Sequence, residues 1–270
     1  MESNNPPSYE PSRRPPAGYG DPLQPESPEP QPRPVLARRP AVKPVLTYII
    51  LGLTVLVFLL QLISDTVLGV DLPAGLGMKI NESILDGELW RLITPVLLHG
   101  SFIHIIGNMY GVYIFGPELE RNFGRARFLA LYLLSGLAGN VVSFLFSPNP
   151  SLGSSTAVFG MLGAYAVFLY HNRELLGRSA QRALANLLTI ALLNLVIGLA
   201  PRIDNWGHVG GLLGGTLFAW LGGPLLKVEG IYPFLNLVDR REGGAAARAG
   251  LAVFLLFASL AAAGIYFRTV

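Results

Sequence analysis

The stretch Leu152–Tyr165, LGSSTAVFGMLGAY, places a serine among small residues at the start of an apolar run. The Pro-rich turn Ser147–Pro150 precedes it, so Ser155 is expected in the first turn of a membrane helix. A hydroxyl there has two interpretations. It caps or packs a helix end, where serine and glycine are common, or it is a nucleophile at the edge of a bilayer. The choice depends on what the other apolar runs bring to the same depth.

The composition is that of a membrane protein. Hydrophobic residues make up 51% of the 270 residues and charged residues only 14%, whereas soluble domains are about a quarter charged. The chain has no cysteine, which excludes disulfides, thiolate metal sites and a cysteine nucleophile. The net charge is +3, and the basic residues form short clusters between apolar runs, so no nucleic-acid binding is predicted.

Residues 1–43 form a Pro-rich segment of different composition, with 12 of the 21 prolines and few apolar side chains. Such a segment cannot bury enough surface to offset the entropy of ordering, so it is predicted to be a disordered tail with polyproline II character. A solvated spacer and a protein-binding tail are both open interpretations. The segment is too long and polar for a cleaved signal peptide, so the first apolar run is expected to be an uncleaved anchor.

Seven apolar runs are candidates to cross a bilayer core, which takes about 20 helical residues. They are Val45–Ser64, Phe102–Leu119, Phe128–Phe146, Ser155–Tyr170, Leu184–Leu199, Gly207–Leu221 and Leu251–Phe267. The second, fourth and sixth are short and rich in glycine and polar residues, which is typical of helices packed inside a bundle. The sequence therefore predicts an all-α polytopic membrane protein, with six helices in residues 44–222 and a seventh C-terminal transmembrane helix in residues 249–270.

The distribution of positive charge predicts the orientation. Sixteen of the 20 Lys and Arg residues lie on the side of the N-terminus, so the N-terminus is expected to be cytoplasmic and the C-terminus outside. Residues 65–101 then form a long outer loop. Residues 223–248 form an inner connector that mixes apolar side chains with charges, and it is expected to rest on the inner headgroups.

In this orientation every even-numbered run starts at the outer face, so Ser155, His208 and the pair His104 and Asn108 share one depth. Small residues follow His208 and recur in the fourth run, which would let the two helices pack with their backbones nearly touching. They are Gly210, Gly211, Gly214 and Gly215 in the sixth run and Gly153, Ala157, Gly160 and Gly163 in the fourth. If these faces meet, Ser155 and His208 come within hydrogen-bond reach as nucleophile and base.

The alternative is that His208 is a structural histidine. Phe159, one turn after Ser155, is a candidate ring for His208 to stack on, or an ordinary core residue. Asp204 lies on the outer loop and is expected at best to cap the helix, so the simplest catalytic arrangement is a Ser–His dyad.

His104 and Asn108 are four residues apart and lie on one face of the second helix. Both can donate hydrogen bonds to a developing oxyanion, together with the backbone N–H of Ser155, or they only join two helices. His99 is interpreted as a loop-structuring residue, and His171 lies on the other side of the membrane. No metal site is predicted, since no carboxylate accompanies the histidines at metal-binding spacing.

These serine, histidine and asparagine residues and the sequence around them resemble those of a known family, the rhomboid intramembrane serine proteases. The resemblance runs from about Leu89 to Gly215 and rests on five motifs: Gly153–Gly160 around Ser155, His208 with its glycines, His104 to Asn108, Trp90-Arg91, and Glu120-Arg121 with Gly124. It implies a water-accessible cavity facing the outside, cleavage of single-span membrane proteins within the bilayer, and no cofactor. A seventh span resembles the six-plus-one arrangement of part of the family.

Two positions depart from the family pattern. Thr156 stands where rhomboids usually have glycine, and Phe159 stands where many have tyrosine. The sequence thus predicts a serine endopeptidase of the rhomboid type in a bacterial inner membrane. The rival functions are a non-catalytic relative that binds or escorts membrane helices, and a transporter or channel. The latter predicts charges deep in several spans and inverted repeats, which do not appear.

Overall fold

The computed structural model describes residues 42–201, 203–232, 234–241 and 243–270. Nine helices and one hairpin occur in this part of the chain: α1 Val45–Leu68, α2 Leu72–Gly77, α3 Asn81–Leu85, α4 Phe102–Phe123, α5 Arg125–Phe146, α6 Ser155–His171, α7 Arg173–Ile197, α8 Asn205–Gly222, β1 Leu226–Ile231, β2 Phe234–Asp239 and α9 Ala245–Thr269. The predicted helical, polytopic fold class is confirmed. The predicted disordered tail lies, except for its last two residues, outside the described range.

Four of the described helices, α1, α5, α7 and α9, are long and apolar enough to cross a bilayer. The protein is therefore an integral, multi-pass membrane protein. α6 is apolar but has only 17 residues, and α8 is rich in glycine. A short helix with a small-residue surface gains stability from helix neighbours rather than from lipid.

Helices α5, α6 and α8 form the centre of the bundle, and glycines set their spacing. A methyl group at Gly211 would overlap the carbonyl of Thr156, and one at Gly215 would overlap the backbone of Gly160. The glycines that alternate with these in α8, Gly210 and Gly214, instead face α5. The predicted glycine face of α8 is thus two faces, one for each neighbour.

Two helices differ from the prediction about the bundle interior. α4 exposes a large apolar face, with Ile103 86% exposed and Tyr110 67% exposed, although it was expected inside. α5 was not among the runs expected inside the bundle, yet 72% of its apolar window is buried. Glycine and polar content in α4 therefore marks one contact face, whereas α5 buries small residues such as Gly136 and Gly139 together with large ones such as Phe128 and Phe144.

The outer loop contains α2, α3 and two 3₁₀ turns, and Trp90 and Arg91 hold it together. The Arg91 guanidinium donates to the carbonyls of Gly75 and Met78 at 2.9 and 2.8 Å, and the Trp90 indole donates to Leu76 at 3.0 Å. Arg91 is almost fully buried. These two residues therefore have a structural role in the loop that lies over the bundle.

The inner connector contains an antiparallel hairpin, β1 with β2, in which Leu226 pairs with Asp239. The interpretation of the chain as all-α did not include these strands. The signal was in β1, where Leu226 and Val228 alternate with Lys227 and Glu229, which is the period of a strand. The last helix begins at Ala245, four residues before the predicted start of the seventh span.

A buried carboxylate joins α4 to the start of α1. Glu120 is fully buried and accepts hydrogen bonds from the backbone N–H groups of Leu46 and Thr47 at 2.9 and 2.8 Å, and from the Thr47 hydroxyl at 2.8 Å. Pro44, which precedes α1, provides no side-chain cap. The carboxylate thus supplies the capping oxygens and the negative charge that favour a helix N-terminus.

Glu120→Ala is expected to lower the free energy of unfolding by about 3 kcal/mol, because it leaves several buried donors at the end of α1 without an acceptor. Denaturant unfolding in detergent micelles measures the change. Glu174→Ala, at an exposed position in the first turn of α7, is the control for losing only the favourable charge at a helix start, and is expected to cost no more than about 1 kcal/mol. Equal, small effects of both substitutions would show that the Glu120 cap does not stabilise the fold.

Candidate active site

Ser155 is the first residue of α6, and the helix start has an unusual cap. Ser154 occupies the N-cap position but makes no capping hydrogen bond with its side chain. Its hydroxyl lies 3.3 Å from Nε2 of His99 instead. The first N–H groups of a helix have no intrahelical acceptor and carry the positive end of the dipole. The backbone around Ser155 therefore favours negative charge at this point.

His208 lies in the first turn of α8, and its ring packs on that of Phe159. The two ring centroids are 4.3 Å apart and the planes differ by 11°. Asp204 begins α8 by accepting the Gly207 N–H at 3.0 Å, and the Ser143 hydroxyl of α5 donates to its other oxygen. Asp204 therefore caps α8, as predicted. The loop carboxylate fixes the helix start and does not contact the imidazole.

Ser155 and His208 lie beside a point where the backbones of α6 and α8 approach each other closely. Thr156, whose carbonyl faces Gly211, follows Ser155 directly, and Gly211 lies three residues after His208. In the described part of the chain no hydrogen bond within 3.5 Å joins the Ser155 hydroxyl to the imidazole, and Nδ1 of His208 is buried without a partner. Catalytic hydrogen bonds in unliganded enzymes are often long and tighten when substrate binds.

The side chains of His104 and Asn108 converge on Gly153, two residues before Ser155. A Cβ at Gly153 would lie 2.7 Å from Nε2 of His104 and 3.6 Å from Nδ2 of Asn108. Gly153 also has φ +130°, a conformation that side chains with a Cβ rarely adopt. The chain therefore needs glycine here to bring α4's two polar side chains close to the start of α6.

The side chain of Thr156 points away from this cluster and into the interface of α5, α6 and α8. A Cβ at Gly139 would lie 2.5 Å from the Cβ of Thr156, and one at Gly207 would lie 3.2 Å from its Cγ2. Two glycines on neighbouring helices thus make the room that the larger residue needs. The departure from the family pattern at position 156 changes helix packing rather than the polar cluster.

His99 is a residue of the site that the sequence analysis interpreted only as part of a loop. It is 1% exposed, and its ring lies against that of His104 with centroids 5.1 Å apart. Burial, together with the neighbouring His104, lowers the pKa of His99 to about 3, so its imidazole is neutral at physiological pH. A neutral ring that contacts both Ser154 and His104 orients the turn before Ser155.

The remaining candidate residues lie elsewhere. His171 is at the opposite end of α6 from Ser155 and packs against Trp220 with ring centroids 4.6 Å apart. No group of three or more His, Asp or Glu side chains that could hold a metal ion occurs among the residues that the structure describes.

The fold and the cluster together define a class of protein. It is a multi-pass helical membrane protein with serine, histidine and asparagine residues near one end of two glycine-packed helices. A family model described as the rhomboid domain matches residues 86–225. The chain belongs to the rhomboid family.

Individual relatives also match this chain. The chain is 40% identical over 178 residues to Rhomboid protease GluP of Bacillus subtilis (strain 168), covering 66% of this chain and 34% of that protein. It is 44% identical over 142 residues to RHOMBOID-like protein 6, mitochondrial, of Arabidopsis thaliana, covering 52% and 46%. RHOMBOID-like protein 5 of the same plant is 38% identical over 163 residues, covering 58% and 52%. The chain thus spans a third to a half of the length of these relatives.

Proposed function

We propose that this protein is an intramembrane serine endopeptidase that cleaves single-span membrane proteins near the outer face of the membrane. Ser155 is the nucleophile, His208 is the general base and then the general acid, and His104, Asn108 and the Ser155 N–H bind the oxyanion. The observation that carries the proposal is the stacking of His208 on Phe159, one turn after Ser155, beside a close backbone contact between α6 and α8.

The chemistry follows from these roles. The Ser155 oxygen attacks the scissile carbonyl carbon while its proton passes to His208. The carbonyl oxygen becomes negative and is stabilised by donors on α4 and by the uncapped start of α6. Collapse of the tetrahedral intermediate breaks the C–N bond, and His208 protonates the leaving amine. Water then hydrolyses the acyl ester through the same base, which regenerates the Ser155 hydroxyl.

The substrate is a membrane helix with a locally weak stretch. In a stable transmembrane helix each backbone carbonyl is hydrogen-bonded within the helix and hidden from attack. Helix-weakening residues such as glycine or proline near the outer end would expose the scissile carbonyl. The positive-inside distribution of Lys and Arg supports an N-terminus on the inner side, and with this orientation the proposed site lies near the outer face of the membrane, for which a bacterial inner membrane is proposed.

A non-catalytic rhomboid-like protein that binds or escorts membrane helices is the second candidate. The observation that favours it is the missing hydrogen bond between Ser155 and His208, together with the partnerless Nδ1 of His208. Such a protein would keep the same helix packing and bind the same helices, but would not cleave them.

One experiment distinguishes the protease from the non-catalytic binding protein. Purified protein is reconstituted in liposomes with a single-span reporter that carries a Gly-Pro pair near its outer end, or an uninterrupted Leu/Ala helix in its place. The proposal predicts a defined cut in the first reporter only, mapped by mass spectrometry, and none with Ser155→Ala. Equal cleavage by wild type and by Ser155→Ala would reject the proposed protease function. Binding of the reporter by wild type without cleavage would reject it as well.

A further inference from the structure

The C-terminus of α5 is capped by side chains from two distant parts of the chain. The last carbonyls of a helix have no intrahelical donor and carry its negative end. Arg268 of α9 donates to Leu145 O at 2.9 Å, and Asn81 of α3 donates to Ser147 O at 3.0 Å. Lys79 donates to Ser147 O at 3.0 Å and to Asn149 O at 2.7 Å. We call Lys79, Asn81 and Arg268 the outer cap.

Lys79 is the unusual member, since lysine is almost never fully buried without a charged partner. Its side chain is fully buried, and both of its hydrogen-bond acceptors are carbonyl oxygens. Burial lowers the pKa of Lys79 to about 8. Asp204 and Glu82 face it and raise the pKa, and Arg268 faces it and lowers the pKa, but burial has the largest effect.

The segment that the outer cap holds leads directly to Ser155. The backbones of Lys79 and Ser151 exchange two hydrogen bonds, at 2.9 and 3.0 Å. Gly153 then donates to Pro95 O at 2.9 Å, and the turn around Ser154 follows. Residues 147–154 are thus fixed by side chains and backbone of the outer loop, and they set where α6 begins.

We propose that Lys79 and Arg268 are positioning residues for Ser155: Lys79 holds residues 147–154 directly, and Arg268 holds the end of α5 from which that segment leaves. The inference rests on the proposed function of Ser155. It also assigns a role to the seventh span, because Arg268 lies in the last turn of α9 and its guanidinium sits 4.7 Å from the ring centroid of Phe144 as well. α9 thereby supports the site from outside the six-helix core.

The variants Lys79→Met and Arg268→Gln test the outer cap. Lys79→Met keeps a long apolar side chain in the buried space but removes the donors, and Arg268→Gln removes the guanidinium of an exposed residue. Arg178→Gln, at an exposed position on α7, is the matched control for the loss of one positive charge. Each protein is assayed for kcat and KM on the reporter, thermal unfolding, and backbone hydrogen exchange of residues 147–154.

We expect Lys79→Met to lower kcat about tenfold to a hundredfold, as displacements of about 1 Å do, with KM nearly unchanged. Arg268→Gln is expected to lower kcat severalfold and Arg178→Gln not at all. Exchange of residues 147–154 should be faster in both cap variants. An unchanged exchange rate, or wild-type kcat in Lys79→Met, would overturn the inference. So would a loss of kcat that only matches a loss of folded protein.

The pH profile separates positioning from a purely structural role. Wild-type kcat is expected to fall above about pH 8 as the Lys79 ammonium loses its charge, and this fall should be absent from Lys79→Met. Stability changes in the opposite sense. Since the folded-state pKa of Lys79 lies below the ordinary lysine value of 10.5, the folded state binds fewer protons than the unfolded state between about pH 8 and 10.5. Stability therefore rises with pH in that window. An identical alkaline fall in both proteins would contradict the proposal.

Hydrogen exchange keeps this inference separate from the proposed function. A wild type that cleaves no substrate would reject the protease and, with it, any catalytic benefit of the cap. Faster exchange in Lys79→Met would then still show that the cap holds residues 147–154, and unchanged exchange would reject the cap as well.

Discussion

Alanine at Ser155 or at His208 is expected to lower kcat on the reporter by a factor on the order of 10⁴ or more, and the double variant is expected to be no worse than Ser155→Ala. A serine hydroxyl is a weak nucleophile unless a base removes its proton, so the two side chains act as one unit. Initial rates of cleavage in liposomes, followed over a wide range of enzyme concentration, measure all three variants.

The controls are His171→Ala, at the other end of α6, and Ser179→Ala, at an exposed position on α7. Both are expected to keep wild-type kcat. If the losses from Ser155→Ala and His208→Ala multiply in the double variant, the two residues act independently and the dyad is wrong. If His208→Ala keeps most of the activity, His208 is a structural histidine, which is the alternative that the sequence left open.

Gly153→Ala is expected to lower kcat by about 10²-fold or more, the cost of removing an oxyanion donor in other acyl-transfer enzymes. The added methyl group would lie 2.7 Å from Nε2 of His104, and the residue would be strained at φ +130°. The polar side chains of α4 or the start of α6 must then move. Steady-state kinetics and thermal unfolding of the purified variant measure the two consequences separately.

Two control variants at other glycines separate the effect of an added methyl group from that of backbone strain. Gly107→Ala adds a methyl group in α4 with no atom within 4 Å, and Gly87→Ala adds one at φ +102° in equally open space. The first is expected to be neutral, and the second to lower stability while kcat of the folded protein stays near wild type. Wild-type kcat in Gly153→Ala would show that His104 and Asn108 need not approach the start of α6 for activity.

The sequence predicted the helical runs well because long apolar segments have few alternatives in a bilayer. It could not assign the glycines of α8 to their neighbours, because Gly210 and Gly211 look alike until the helices are packed. For the same reason it placed all of α4 inside the bundle, although Ile103 and Tyr110 are exposed. The hairpin of the inner connector was missed because its strands are short and the period-two signal is weak.

The sequence named candidate residues for the site but not all of their contacts. The order and orientation of the apolar runs predicted the depth of each residue in the membrane. They assigned Ser155, His208, and the pair His104 and Asn108 to one level. The contact of His99 with Ser154, and the room that Gly139 makes for Thr156, depend on side chains that are far apart in sequence. Lys79 gave no signal at all, since a lysine in an outer loop normally points to solvent.

Covalent labelling of the purified protein by a fluorophosphonate tests the central claim most directly, because the reagent reacts with an activated serine and needs no knowledge of the substrate. The account predicts a single modified peptide that contains Ser155, no labelling of Ser155→Ala, and greatly slowed labelling of His208→Ala. An unlabelled wild type, or labelling that is as fast in His208→Ala as in wild type, would contradict the proposal that His208 activates Ser155.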